Sequence, residues 1–369
     1  MNKNHIPALS GKAIVLFDTK KYHDAISIFD QILIRQPTHI SSLLHKGLCL
    51  LHFGIITDAL VYFNKILEIN PKYTNALGYK GTALAKTGKQ KEAISYFDSV
   101  LSIDSKNIKS LYHKGLCLYN LEKYNESISI FQEVNRLDPT FTESILHLGI
   151  AFSKVNNFSN AFSCFEQILR HNPKNLDALI HKAIILTDLG RYDEALSVYN
   201  SALSISPFDN NLLLNQAKTF SILGKNQDAK DILEKILKSD PSHFDALKEL
   251  GKTLVKMGQN EDAIDAFEKC LIIETKNCEI LYQKGLAFAS VGKHKDAEKC
   301  FDQVILLERN NVDAMYQKSK TQIQLGKIPE CISELKNIIE LNPIYKEIIK
   351  QDITFNNLLG NPRYRDIVG

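Results

Sequence analysis

The sequence predicts an all-α solenoid built from antiparallel helix–turn–helix hairpins. Three observations carry this prediction. A 34-residue unit recurs ten times without insertion, each unit holds two runs of apolar residues at helical spacing, and proline or a polar turn closes each unit. In the fourth unit, Leu111, Gly115 and Leu118 lie three and four residues apart, so they share one face of a first helix. Phe131 lies on a second helix, which ends before Pro139 because proline cannot continue a helix.

The period places the start of every unit. The first residues of the ten units are Ile6, Ile40, Thr74, Ile108, Thr142, Leu176, Asn210, Phe244, Cys278 and Val312. Three domains are therefore predicted: a short tail at residues 1–5, the ten-unit array at 6–345 and a C-terminal cap at 346–369.

Three columns of the aligned units predict how the helices pack. Position eight is always small: Ala13, Gly47, Gly81, Gly115, Gly149, Ala183, Ala217, Gly251, Gly285 and Ser319. Position twenty is alanine in eight units, with Ser127 and Cys331 as the exceptions. Position twenty-four is large: Phe29, Phe63, Phe97, Phe131, Phe165, Tyr199, Leu233, Phe267, Phe301 and Leu335. We expect the small residues where two helices cross closely and the large ones in the space between hairpins.

This pattern of small, small, aromatic and proline positions resembles the tetratricopeptide repeat (TPR) family, whose unit is a 34-residue helix–turn–helix. The resemblance covers about residues 6–345. It implies a right-handed superhelix of TPR hairpins with a concave groove on the side of the first helices. The chain departs from the family at the seventh position, where lysine often replaces leucine. We expect these lysines to lay their stems along the seam between hairpins and keep their charge in water.

The C-terminal segment is expected to end the array as a capping helix, because a solenoid otherwise exposes a core face at its last repeat. The apolar residues that could cover the last hairpin are Phe355, Leu358, Leu359, Tyr364 and Ile367. A tail that docks a peptide is the alternative.

Composition narrows the function classes. A formal net charge of +3 does not favour nucleic acid or a membrane surface, and no apolar run reaches the length of a signal peptide or a membrane span. The seven cysteines lack paired spacing, which fits a reducing cytoplasm and small apolar core residues. No phosphate-binding glycine loop, zinc-protease motif or nucleophile elbow is present, so neither an enzyme nor a cofactor is expected.

The sixth position carries the most distinctive column, here named the sixth-position ladder. Its members are Gly11, His45, Tyr79, His113, His147, His181, Asn215, Glu249, Gln283 and Gln317. The TPR resemblance implies that this position looks into the concave groove, where polar residues can contact the main chain of a ligand. Histidine, asparagine and glutamine offer both a donor and an acceptor, as a peptide backbone requires. A merely solvated helix face is the alternative.

A metal site in the sixth-position ladder is disfavoured by distance. Zinc needs about four ligands, with nitrogens at about 2.0–2.1 Å. Helices stand about 10 Å apart, so His113, His147 and His181 could converge only as neighbouring pairs. No carboxylate or cysteine completes the set, and no metal is expected.

The rest of the predicted groove changes character along the chain. Aliphatic and aromatic residues line units two to six: Leu44, Leu48, Leu51, Tyr112, Leu116, Tyr119, Leu146, Ile150, Ile180 and Ile184. Units seven and eight are basic, with Lys218, Lys248, Lys252 and Lys256. This arrangement suits a partner with apolar anchors and an acidic stretch. Alternatively, the aliphatic residues pack within the solenoid and the lysines aid solubility.

The predicted function is therefore a non-catalytic scaffold or adaptor that binds an extended or helical segment of a partner protein in the groove. Self-assembly is the alternative, with Ala8 and Val15 on the outer side of the first helix docking a second copy. RNA binding is a third and less favoured class, because the seventh-position lysines lie at the seam and not on a displayed face.

Overall fold

The computed structural model describes residues 5–369 and consists of helices, without a strand in that range. Of the tail expected at residues 1–5, residues 1–4 lie outside the described part. The helices are α1 (Ile6–Asp18), α2 (Tyr22–Arg35), α3 (Ile40–His52), α4 (Ile56–Ile69), α5 (Thr74–Lys86), α6 (Gln90–Ile103), α7 (Ile108–Asn120), α8 (Tyr124–Leu137), α9 (Thr142–Lys154), α10 (Phe158–His171), α11 (Leu176–Asp188), α12 (Tyr192–Ile205), α13 (Asn210–Ile222), α14 (Asn226–Ser239), α15 (Phe244–Lys256), α16 (Asn260–Ile273), α17 (Cys278–Ser290), α18 (His294–Leu307), α19 (Val312–Gln324), α20 (Ile328–Leu341), α21 (Tyr345–Gln351), a 3₁₀ helix (Ile353–Leu358) and α22 (Pro362–Val368).

These helices fall into two compact units, one ending at Ile185 and the other beginning at Leu186. From α1 to α10 in the first unit and from α13 to α20 in the second, an odd-numbered helix pairs with the following even-numbered helix as a hairpin, and each of these hairpins packs on the next. The prediction of an all-α array of helix–turn–helix hairpins is confirmed.

The turn inside each hairpin needs a left-handed residue. Seven repeats place glycine there, for example Gly88 with φ of 80°. Lys20, Glu122 and Asn156 occupy the same position in the other three repeats, with φ of 58–60°. A side chain in this conformation is strained, so these three turns are locally less favourable than the glycine turns.

The core is built by the contact between positions eight and twenty-four, which are 16 residues apart. A Cβ atom on Gly115 would lie 2.7 Å from the Phe131 ring, and one on Gly47 would lie equally close to Phe63. Both rings are fully buried. Position eight is therefore small because the aromatic ring of the same repeat occupies the space beside it.

The lysines at position seven form ion pairs between successive repeats. Lys114 lies 2.6 Å from Asp98, the residue 16 positions earlier at position twenty-five of the preceding repeat. Four further repeats form the same pair: Lys46–Asp30, Lys182–Glu166, Lys284–Glu268 and Lys318–Asp302. Gln216 and Asn200 replace the pair by a neutral hydrogen bond of 2.8 Å. The seventh-position column thus holds consecutive hairpins together.

The segment after the last hairpin folds back on it. Ile349, Phe355, Leu358 and Tyr364 are buried in a cluster with residues of α19 and α20. Leu359, in contrast, is 54% exposed, so the expectation that it covers the hairpin was wrong. Leu359 is the C-terminal cap of the 3₁₀ helix and lies at the surface, whereas the preceding residue, Leu358, is buried.

In the described part of the chain, no helix combines the length and the apolar character that a membrane crossing requires.

Candidate functional site

The first helices of successive repeats contact one another directly. Within the two units, α5 contacts α7 and α7 contacts α9, as α13 contacts α15 and α15 contacts α17. No comparable contact joins successive second helices among the described residues. The first helices are therefore the more closely spaced layer, and their outward side chains come near each other across repeats.

The sixth-position ladder lies on this layer, and its aromatic members pack on the preceding repeat. The His113 ring stacks on Phe97, with centroids 5.8 Å apart, and His181 stacks on Phe165 at 5.6 Å. His45, Tyr79 and His147 make the corresponding contacts with Phe29, Phe63 and Phe131. These rings therefore join consecutive repeats. This structural role differs from both alternatives considered from the sequence, which were contact with a peptide and a solvated helix face.

The ladder histidines differ in the state of their ring nitrogens. Nδ1 of His45 and Nδ1 of His147 each lie 2.7 Å from the main-chain oxygen four residues earlier. Among the described residues, no hydrogen bond reaches the ring of His113 or of His181. The edges of these two rings are available to an external donor or acceptor.

Both of these histidines favour the neutral form. Burial lowers the pKa of His113 below its usual value, and the charges of Lys109 and Lys86 lower it further. Burial also lowers the pKa of His181. A neutral imidazole carries one donor and one acceptor, which is the pair of groups that a peptide bond can satisfy.

A cleft of about 420 Å³ opens beside His113, on the side of α5. Gly78, at the fifth position of the third repeat, lines this cleft without a side chain, and a Cβ atom there would have no neighbour within 4 Å. Its lining residues are Thr74, Asn75, Gly78, Tyr79, Thr82, Phe97, Val100, Asn107, Lys109, Ser110, Tyr112, His113 and Phe141. The cleft is of the size that small ligands and single side chains occupy.

Tyr112 forms the aromatic wall between this cleft and the next repeat. Its ring centroid lies 4.9 Å from that of Phe141 and 5.6 Å from that of His147. The Tyr112 hydroxyl lies 3.4 Å from Nδ1 of His147. Burial and the nearby carboxylate of Glu143 raise the pKa of Tyr112, so the phenol stays protonated.

The structure brings together only some of the residues predicted from the sequence. Tyr79, Tyr112 and His113 line the one cleft. Leu116, Tyr119 and Ile150 are half-buried against the core formed by repeats four to six. The cleft residues that the sequence analysis missed are Asn75, Gly78, Thr82, Asn107, Lys109 and Phe141. Gly78 was visible as a break in a column of mostly large residues.

The predicted basic stretch in the second unit is partly neutralised. Lys252 lies 2.5 Å from Glu279, and Lys248 lies 4.0 Å from the same carboxylate. Lys256 donates to the main-chain oxygen of Ser221 at 3.2 Å. Lys218 is half-buried and takes part in no ion pair of the described residues.

The remaining ladder residues lie in the second unit. Asn215, Gln283 and Gln317 are half-buried on α13, α17 and α19. None of these amides lines the cleft beside His113.

The cysteines and possible metal ligands are dispersed. All seven thiols are free, and six are buried. Burial raises the pKa of Cys49 and of Cys117 to about 11, which disfavours the reactive thiolate. In residues 5–369, no three side chains of the ligating types come together in a way that could hold a metal ion.

Comparison with protein families gives matches along most of the array. Models described as tetratricopeptide repeat match residues 11–74, 146–210, 222–282 and 279–311. A model described as anaphase-promoting complex, cyclosome, subunit 3 matches residues 54–134. None of the curated proteins matches the sequence significantly.

Solved structures show the same fold at low identity. A tetratricopeptide repeat protein from Parabacteroides merdae is 23% identical, with a TM-score of 0.56, over 68% of this chain and 98% of that one. Pseudomonas aeruginosa pilF is 20% identical, with a TM-score of 0.50, over 58% of this chain and 97% of that one. The family matches and the repeated hairpins agree with the resemblance found in the sequence: the chain belongs to the tetratricopeptide repeat family.

Proposed function

We propose that the chain is a non-catalytic scaffold that binds an extended or helical segment of a partner protein along its first helices. The TPR fold serves protein–protein interaction in general. The observation that carries the proposal for this chain is the cleft beside His113, where a neutral imidazole with free ring nitrogens borders an aromatic recess.

Hydrogen-bonding capacity supports a peptide as the ligand. His113 and Asn75 both border the cleft, and no hydrogen bond among the described residues engages either side chain. The main chain of an extended segment offers alternating donors and acceptors that such groups can bind. His181 repeats the free imidazole two repeats farther along, so a segment could be held at more than one point.

The proposed scaffold is non-catalytic, and the residues of the cleft support this part of the proposal. Catalysis by a nucleophile needs a base in hydrogen-bond contact with it. The cleft contains one histidine, His113, and among the described residues no hydroxyl or thiol is hydrogen-bonded to it. The buried thiols elsewhere have raised pKa values. Seven free cysteines also support a reducing compartment such as the cytoplasm.

The partner chemistry expected from the sequence changes in one respect. Apolar anchors remain favoured by the aromatic lining of the cleft. An acidic stretch bound at Lys248 and Lys252 would have to compete with the Glu279 carboxylate, which already pairs with both lysines. The same ion pairs weigh against RNA binding at this place, because a phosphate would meet the same competition.

The test distinguishes hydrogen bonding by the histidine ring nitrogens from stacking by the faces of the same rings. The double variant His113→Phe, His181→Phe keeps a ring on Phe97 and Phe165 but removes all four nitrogens. Tyr79 shows that another aromatic residue is accommodated at this position. Partners found by affinity capture would be mapped to a bound segment with overlapping peptides, and the dissociation constants of that segment would be compared.

We expect at least about tenfold weaker binding by the double variant. His171→Phe, on the exposed end of α10, is the matched control and should bind normally. Unchanged affinity of every mapped segment for the double variant would remove the ladder from the proposed function.

Self-association is kept as a second candidate because Val15 on α1 is 60% exposed. Sedimentation velocity across a range of concentrations tests it. A chain that stays monomeric at high concentration refutes it, whereas a dimer that Val15→Asp dissociates supports it.

A further inference from the structure

We propose that the cleft beside Gly78 is an anchor pocket for one large aromatic side chain of the bound segment, next to a carboxylate held by Lys109. This inference rests on the proposed function and names the chemistry of the partner at one site.

The recess exists because one side chain is missing from a column of larger ones. The fifth position of the other repeats is occupied by Ser10, Leu44, Tyr112, Leu146, Ile180, Leu214, Lys248, Tyr282 and Tyr316. At Gly78 no atom lies within 4 Å of the position that a Cβ atom would take. A side chain supplied by a partner can therefore occupy the volume that the repeat itself fills elsewhere.

The walls of the recess select an aromatic occupant. Tyr79, Tyr112 and Phe141 present three rings to it, and the buried side chains of Phe97 and Val100 lie beneath its surface. Aromatic pairs gain from offset or edge-to-face contacts beyond the burial of area. A volume of about 420 Å³ accommodates an indole or phenol together with the adjoining backbone.

The charge at the rim selects an acidic neighbour. Lys109 lines the cleft, and both Lys109 and Lys86 act on His113 by their positive charge. No ion pair of the described residues includes either lysine. Asp104, five residues before Lys109 in the sequence, receives hydrogen bonds from the Asn107 side-chain amide and the Lys106 main chain. Glu143 acts on Tyr112 but is not among the residues that line the cleft. The carboxylate of a partner is therefore favoured beside Lys109.

The binding assay measures tryptophan emission from peptides, because the chain itself contains no tryptophan. Two sets of acetylated heptapeptides are passed over the immobilised full chain. In the first set, all positions are random. In the second, tryptophan is fixed at the centre and aspartate, asparagine or lysine is fixed beside it. Retained sequences are resynthesised, and their tryptophan emission reports binding in solution without background from the protein.

We expect the first set to be enriched in aromatic residues and the second to favour aspartate over asparagine by about two- to fivefold. Alanine in place of tryptophan should weaken binding at least about tenfold. Gly78→Ala and Gly78→Leu should weaken it progressively. Gly360→Leu is the control, because Gly360 also has open space at its Cβ and lies in the C-terminal segment, outside the first helices. Lys109→Gln should remove the preference for aspartate.

Three other results would contradict the anchor pocket. If random peptides bind without aromatic enrichment and Gly78→Leu does not affect them, the anchor pocket is wrong while groove binding stands. If no peptide of either set is retained, both proposals fail. If free indole-3-acetate binds as tightly as the best peptide, the cleft is a small-molecule site and the anchor pocket is again overturned. Circular dichroism of Gly78→Leu checks that loss of binding is not loss of fold.

Discussion

Replacing His113 by alanine should destabilise the protein, whereas replacing it by phenylalanine should not. The imidazole lies flat on the fully buried ring of Phe97, with 17° between the planes. Such aromatic pairs contribute about 0.5–1.5 kcal/mol beyond the area that they bury. Since the ring is itself largely buried, we expect His113→Ala to lower the free energy of unfolding by about 1–2 kcal/mol.

Phenylalanine keeps the stacked ring and loses only the nitrogens, which have no hydrogen bond to lose among the described residues. His113→Phe should therefore stay within about 0.5 kcal/mol of the parent. Urea unfolding followed by far-ultraviolet circular dichroism measures both, with His171→Ala as the exposed control.

The reasoning would be refuted if His113→Ala were as stable as the parent, or if phenylalanine cost as much as alanine. The first result would mean that the stacking carries no energy. The second would mean that the nitrogens have a structural partner. The outcome also decides how binding data are interpreted, because an alanine variant that loosens the joint between repeats can lose a ligand without having contacted it.

Three further predictions follow from other contacts. Glu122→Gly relieves a left-handed side chain and should raise the free energy of unfolding by about 0.5–1 kcal/mol, measured in urea. Burial lowers the pKa of His113 and of His181 below 6.5, so the unfolded chain binds more protons than the native one just below that pH. Stability should be complete above pH 6.5 and decrease as the pH falls towards the native pKa values. The double phenylalanine variant should lose this part of the pH dependence, and an unchanged thermal-unfolding profile would contradict it. A double-mutant cycle on Lys114 and Asp98 should give a coupling of about 0.2–1 kcal/mol that high salt reduces, and a coupling of zero would show that the pair does not join the repeats.

The helices were predictable because each repeat signals its own ends. Pro139 stops a helix, Gly88 supplies the left-handed turn, and these signals recur every 34 residues. Ten copies average out the local ambiguity that a single copy would leave. The short helices after Pro343 lack this averaging, and there the exposed Leu359 was misassigned to the cap.

Contacts between repeats were harder to foresee, although they follow one spacing. Phe97 and His113 are 16 residues apart, as are Asp98 and Lys114. A periodic sequence shows which columns exist but not which column of one repeat meets which column of the next, because that depends on how far successive hairpins are rotated. The seventh-position lysines were expected at the seam, yet their acidic partners became evident only from the structure.

The cleft was not predicted, although Gly78 interrupts the fifth-position column of the sequence, because the cleft depends on a side chain that is missing. A groove residue is recognised in a sequence by the chemistry that it offers, and Gly78 offers none. Its effect appears only when the neighbouring helices are placed and the volume beside it is found to be empty. The lining contributed by Asn107 and Phe141 comes from the ends of adjacent repeats, which the pattern treats as turns.

The aligned positions of the repeats also indicate which residues can determine specificity for a ligand. Position eight is fixed by the aromatic ring beside it, position seven by the ion pair to the preceding repeat, and position six by stacking on the preceding aromatic ring. A change at any of these alters the joint between hairpins as well as the surface. Position five is packed in some repeats, since Leu44 and Leu214 are buried there, but it accepts glycine at Gly78, tyrosine at Tyr112 and lysine at Lys248 without interrupting the array. Differences in ligand preference between repeats can therefore arise at position five, and the one repeat with no side chain there is the place where we expect a partner to insert its own.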